Sequence, residues 1–126
     1  MGVASPEEMA GTFIERFNAR DGAGMLALYA AEAVFTFDGV TFARGLDEIK
    51  AALDGILASP MTLRGTYVGA PLIAGDVAMC SLRWEMLNAE GWIDQDGISV
   101  EVLKRGGDGL WRFAIDDATG ASRERD

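Results

Sequence analysis

The chain has 126 residues, with 20 acidic against 11 basic side chains and a formal charge of −9 at pH 7; that balance repels phosphate backbones and excludes nucleic acid as an expected partner. It contains no histidine, which removes serine–histidine and cysteine–histidine nucleophile pairs, histidine general bases and histidine-ligated metals. Hydrophobic residues make up 49% of the chain, too many for an acidic disordered tail and enough to fill a core and also line a pocket or an interface.

This length suits one domain spanning 1–126, with an ordered core over about 5–120. The single cysteine, Cys80, has no partner for an intramolecular disulfide and reads as a small buried strand residue. The N-terminus has no basic region followed by an apolar run, and no apolar stretch is long enough to span a bilayer. The expected location is cytoplasmic, with no membrane partner.

The first predicted element is a helix. Ser5 is a candidate N-cap, Pro6 suits the first helical position, and Glu8 completes a capping-box pattern. Ala10, Phe13, Ile14 and Phe17 fall on one helical face. A second, shorter helix follows over 24–33, capped by Asp21. Ala33–Phe37 reads as a strand, with a short return through Thr41 and Phe42. A third helix, from Arg44 to its stop at Pro60, carries Leu46, Ile49, Leu53, Ile56 and Leu57 on its apolar stripe. The remainder reads as strands over 61–70, 76–88, 97–105 and 110–117. The last two are joined by Gly106–Gly109, a hairpin signal. Trp92 and the segment Ile93–Gly97 are read as part of a turn; the Asp94/Asp96 spacing lacks the further ligands of a calcium loop. Helices first and an antiparallel meander afterwards define an α+β fold, with helices covering one face of a curved sheet.

The order α-α-β-α-β-β-β-β resembles the NTF2-like superfamily, the cone-shaped α+β group that includes ketosteroid isomerase and the SnoaL-like polyketide cyclases. The resemblance is carried by FNARDGAGMLALYAAEAVF (17–35), RGLDEI (44–49), DVAMCSLRW (76–84) and VEVLKRGGDGLWRFAIDD (100–117). The last stretch is similar to the ketosteroid-isomerase-homologue group. It implies a cone with an apolar pocket between sheet and helices, a homodimer formed through the sheet, and no cofactor. It does not imply steroid isomerase chemistry, which uses a tyrosine, a protonated aspartic acid and a second aspartate as base. Phe13 falls in the tyrosine's place and Phe37 in the base's place, with Asp38 one residue on. The remaining region offers only Glu101.

Strand parity then nominates the site. In the last strand Trp111, Phe113, Ile115 and Asp117 share one face, and Asp116 takes the other. Two adjacent aspartates therefore form no shared-proton dyad, and Asp117 is the carboxylate expected at the pocket, with a pKa raised by desolvation. Around Trp84 two faces compete. Periodicity turns Cys80, Leu82, Trp84 and Met86 inward. Alignment with the isomerase turns Arg83 and Glu85 inward, where Arg83 would orient a substrate, as in the Asp-Arg-Asp arrangement of limonene-type epoxide hydrolases. Tyr29 and Tyr67 are possible acids, with aromatic packing the preferred reading for both. Expected pocket walls are Phe13, Phe17, Phe35, Phe37, Trp84, Trp111, Phe113 and Ile115, with no metal site. Two functional readings follow. One is a pocket for a small hydrophobic metabolite with carboxylate acid/base chemistry of an isomerase, cyclase or hydrolase type. The other is a non-catalytic dimeric ligand-binding or interaction module.

Overall fold

Helix α1 (Met9–Asn18) buries Met9, Ala10 and Phe17, the apolar stripe that its spacing prescribes. It follows a 3-10 turn over Pro6–Glu8, and the computed structural model describes residues 1–123. Two side chains fix α1 to β3 (Thr62–Tyr67). Asn18 exchanges a pair of hydrogen bonds with the Leu63 backbone at 2.8 and 2.9 Å. The Tyr67 hydroxyl accepts from the Ala10 amide and donates to the Pro6 carbonyl. The short α2 (Gly22–Leu26) is capped as expected, with Asp21 accepting from the Gly24 amide at 2.8 Å.

The predicted extension of that second helix to Ala33 does not form. Its residues are instead the start of β1 (Tyr29–Thr36), despite a run of alanines that favours helix. β1 pairs parallel with β9 (Trp111–Asp117), anchored at Tyr29 and, after a register shift, from Val34 onward, and antiparallel with β2 (Phe42–Arg44) over Val34–Thr36. Tertiary pairing overrides local propensity here. Helix α3 (Gly45–Leu57) then buries Ile49 and Leu53 and packs over β1.

The predicted strand over 76–88 is two strands, β5 (Val77–Cys80) and β6 (Leu82–Leu87), broken at Ser81. The segment read as a turn after Trp92 is itself a strand, β7 (Ile93–Ile98), separated at Ser99 from β8 (Val100–Arg105). With the short β4 (Leu72–Ala74), nine strands rather than the expected five form two sheets among the described residues. One has the order β2-β1-β9-β8-β5-β4 and the other β3-β6-β7. The chain crosses between them at Ser81 and Ser99, where the Ser99 amide donates to the Leu82 carbonyl and the Leu82 amide to Ser99 Oγ. This corner bends the sheet into a cone whose inner face meets α1 and α3. All neighbouring strands except β1 and β9 run antiparallel.

Candidate functional site

A cavity of about 50 Å³ lies inside the cone, between the inner sheet face and the helices. That holds a few waters, at roughly 10–15 Å³ each. Its walls are aromatic and aliphatic: Phe13 and Phe17 from α1, Phe35 and Phe37 from β1 and its end, Leu53 and Ile56 from α3, Trp84 and Met86 from β6, and Phe113 from β9. Trp84 is held in place at both ends. Its indole N–H donates to the Ala118 carbonyl at 2.6 Å, and its ring lies against Gly97, where an added Cβ would stand 3.0 Å from the indole.

Three polar residues interrupt this lining: Ser99, Glu101 and Asp116. Their exposures are 1%, 5% and 6%. Glu101 and Asp116 are direct partners across the antiparallel β8–β9 pair. Antiparallel partners place their side chains on one face, with Cβ atoms about 4.5–5.5 Å apart. The same rung continues to Cys80 on β5 and Phe35 on β1. Each acid accepts from a hydroxyl: Ser99 donates to Glu101 Oε2 at 2.8 Å, and Tyr29 donates to Asp116 Oδ2 at 2.6 Å.

Burial penalises the charged form of both acids and raises both above the ordinary carboxylate range. The Tyr29 hydrogen bond opposes the shift at Asp116. At Glu101 the desolvation is reinforced by the charge on Asp116 and opposed by Ser99. The two carboxyls face each other, so a proton stays on the pair above the ordinary carboxylate range, and ionising one disfavours ionising the other. Tyr29 is raised well above the usual tyrosine value, by burial first and by the Asp116 charge next. Cys80 is pushed up to about 11, chiefly by burial, so its thiol is unreactive.

The expected carboxylate is displaced by one residue. Asp117 does not reach the cavity; it forms an ion pair with Arg123 at 2.5 Å on the outer side. The cause is a β-bulge. Leu103 pairs with Phe113 while Val102 pairs with Ile115, so Ala114 is an extra residue in β9. Alternation restarts beyond it, turning Asp116 inward and leaving Ile115 45% exposed. Ile115 is therefore not a wall residue. Nor is Trp111, which is buried beneath the Val3 bridge and the Arg105 guanidinium. Around Trp84 the periodicity holds and the isomerase alignment does not: Leu82, Trp84 and Met86 face inward, while Arg83 is exposed and Glu85 pairs with Arg64 at 2.7 Å. Phe13 and Phe37 occupy cavity positions without a polar group. Asp38 stays in the β1–β2 turn, accepting from the Val40 and Thr41 amides. Ser99 escaped the sequence reading, as did the contact of the Tyr29 hydroxyl with Asp116. The only sequence signal was the Ser-x-Glu spacing, which puts Oγ and carboxylate on one strand face.

A bent α+β cone closed by helices is the NTF2-like, cystatin-like architecture. The SnoaL-like domain family matches residues 10–117, and the chain belongs to that family. No curated protein matches it. Among solved structures, a Thiobacillus denitrificans protein provisionally assigned as a calcium/calmodulin-dependent protein kinase type II association domain superposes with TM-score 0.81 at 17% identity, covering 94% of this chain and 97% of that one. A ketosteroid isomerase-like protein from Erwinia carotovora atroseptica gives TM-score 0.68 at 20% identity, covering 88% and 90%. An NTF2-like protein from Shewanella oneidensis gives 0.75 at 18%, covering 89% and 93%. At these identities the likeness is one of fold.

Proposed function

We propose that the protein binds a small, largely apolar metabolite inside the cone and exchanges a proton with it through the Glu101–Asp116 pair. One observation carries this reading: two acids buried on adjacent strands face the same aromatic cavity with no ion-pair partner among the described residues. An uncompensated acid pair lowers stability, and its elevated proton affinity suits acid/base work near neutral pH. Tyr29 orients Asp116 and Ser99 orients Glu101, and the pair holds the exchangeable proton. Phe13 and Phe37 leave the cavity without the isomerase groups, so the chemistry is not steroid Δ-isomerisation. A Δ5-3-ketosteroid that turns over on this protein would contradict that exclusion.

The binding part is tested through Met25 and Met86, whose side chains line the cavity. Titration with four- to six-carbon neutral molecules should shift their methyl resonances in a saturable way. Absence of any saturable shift would remove the reading.

We also propose that the protein is a homodimer. One outer rung of the large sheet, Leu72–Met79–Val102–Ile115–Val34, is apolar across five strands. Leu72 is 66% and Met79 49% exposed. A contiguous apolar band on an otherwise acidic protein suits association with a second copy.

A further inference from the structure

We propose that the ligand's polar group is a cation, a protonated amine on a small apolar body. This rests on the pocket reading above and specifies its ligand class. The argument is a census of what the cavity offers. Among the described residues its polar lining is Ser99, Glu101 and Asp116, with no lysine or arginine. Both nearby hydroxyl protons are already committed, Ser99's to Glu101 and Tyr29's to Asp116. Among the described residues, Glu101 Oε1 and Asp116 Oδ1 receive no hydrogen bond from the protein. The cavity therefore presents acceptors, one exchangeable carboxyl proton and negative charge, and an occupant that donates satisfies the most of them.

Charge then selects among donors. An anion would meet the acid pair with no compensating group. A neutral alcohol would satisfy one acceptor and leave the charge of the acid pair unpaired. An ammonium group supplies up to three donors and the counter-charge that the fold omits. The surrounding rings of Phe13, Phe35, Phe37, Trp84 and Phe113 add a second preference, because aromatic faces attract cations, more strongly where water is excluded. The protein's net charge of −9 draws cations toward the cone and repels anions.

Binding of the ammonium group displaces the proton that the acid pair holds, so the protein releases up to one proton per ligand bound and the amine binds more tightly as pH rises from 5 to 8. The test uses n-butylamine, n-butanol and butyrate at fixed ionic strength, read by the Met25 and Met86 methyl resonances. Calorimetry in two buffers of different ionisation enthalpy counts the protons released. At pH 7.5 n-butylamine should bind at least about tenfold more tightly than n-butanol, with proton release, and butyrate should not bind. Glu101→Gln should reduce the preference for the amine while n-butanol binding persists. Equal or tighter binding of n-butanol, or any binding of butyrate, overturns the cation assignment and leaves the pocket reading standing. Silence from all three probes overturns both.

Discussion

The Tyr29 hydroxyl donates to Asp116 Oδ2 at 2.6 Å, joining the start of β1 to the end of β9 inside the core. The Tyr29 ring packs against Phe113, with centroids 4.9 Å apart, so Tyr29→Phe preserves the packing and deletes only the donor. Loss of a hydrogen bond to a buried charged group costs about 1–3 kcal/mol. Urea unfolding of Tyr29→Phe should show a loss in that range at pH 7. A loss below about 0.5 kcal/mol, the scale of an ordinary surface change, would mean the bond contributes nothing there.

Stability should depend on pH with a sign opposite to that of paired surface carboxylates. Glu101 and Asp116 both hold their protons above the ordinary carboxylate range. Between that range, about 3.9–4.3, and their raised values, the native chain binds more protons than the unfolded one. The stability linked to those protons is complete below the ordinary range and is lost as pH rises through the raised values. Glu101→Gln removes one acid of the pair and its repulsion on the other, so the variant should gain on the wild type between pH 4.5 and 8. One unit of elevation corresponds to about 1.4 kcal/mol, and the gain should reach at least that. Denaturant midpoints across the pH range measure it; a difference independent of pH would refute the assignment.

Adjacent aspartates should respond differently to the same change. Asp116→Asn keeps an acceptor for Tyr29 but breaks the acid pair, and should abolish proton exchange with a bound ligand. Asp117→Asn weakens the pair with Arg123, whose side chains are 19% and 31% exposed. Its cost should stay within about 1 kcal/mol, with ligand binding retained. The reverse pattern in parallel titrations would place the functional group at 117.

The contrast between these two residues marks where the sequence stops being readable. Periodicity located α1 and α3 because their apolar stripes repeat at helical spacing, and it oriented Trp84 because β6 alternates without a break. It failed at Asp116 because the bulge falls on Ala114, where no glycine or proline announces it. It failed again at Tyr29, where helix-favouring alanines sit in a strand for reasons found only in the neighbouring strands. Ser81 and Ser99 likewise divide strands at a corner set by sheet curvature, which no local pattern encodes. Glu101 was visible as an acid but not as a partner, since its pairing with Asp116 depends on the register across β8 and β9.

Association through the outer sheet face should be sensitive to charge on its apolar rung. Met79→Lys combined with Ile115→Lys alters two side chains that are about half exposed and makes no cavity, so the fold should persist. Sedimentation at micromolar concentration should give a dimer for the wild type and a monomer for the double variant. A monomeric wild type would end the homodimer proposal.

Ala114 is a residue that the last strand carries without pairing it. Delete it, and Phe113 would be followed directly by Ile115 in unbroken alternation, with Asp116 still turned inward opposite Glu101. Keep it and iron out the bulge, and the outcome reverses: alternation would carry the Asp117 side chain to the inner face, swing Asp116 outward and set Ile115 opposite Glu101. The position of the bulge, not the length of the strand, therefore decides which aspartate enters the cavity. In comparing relatives, a one-residue gap at this point preserves the pair.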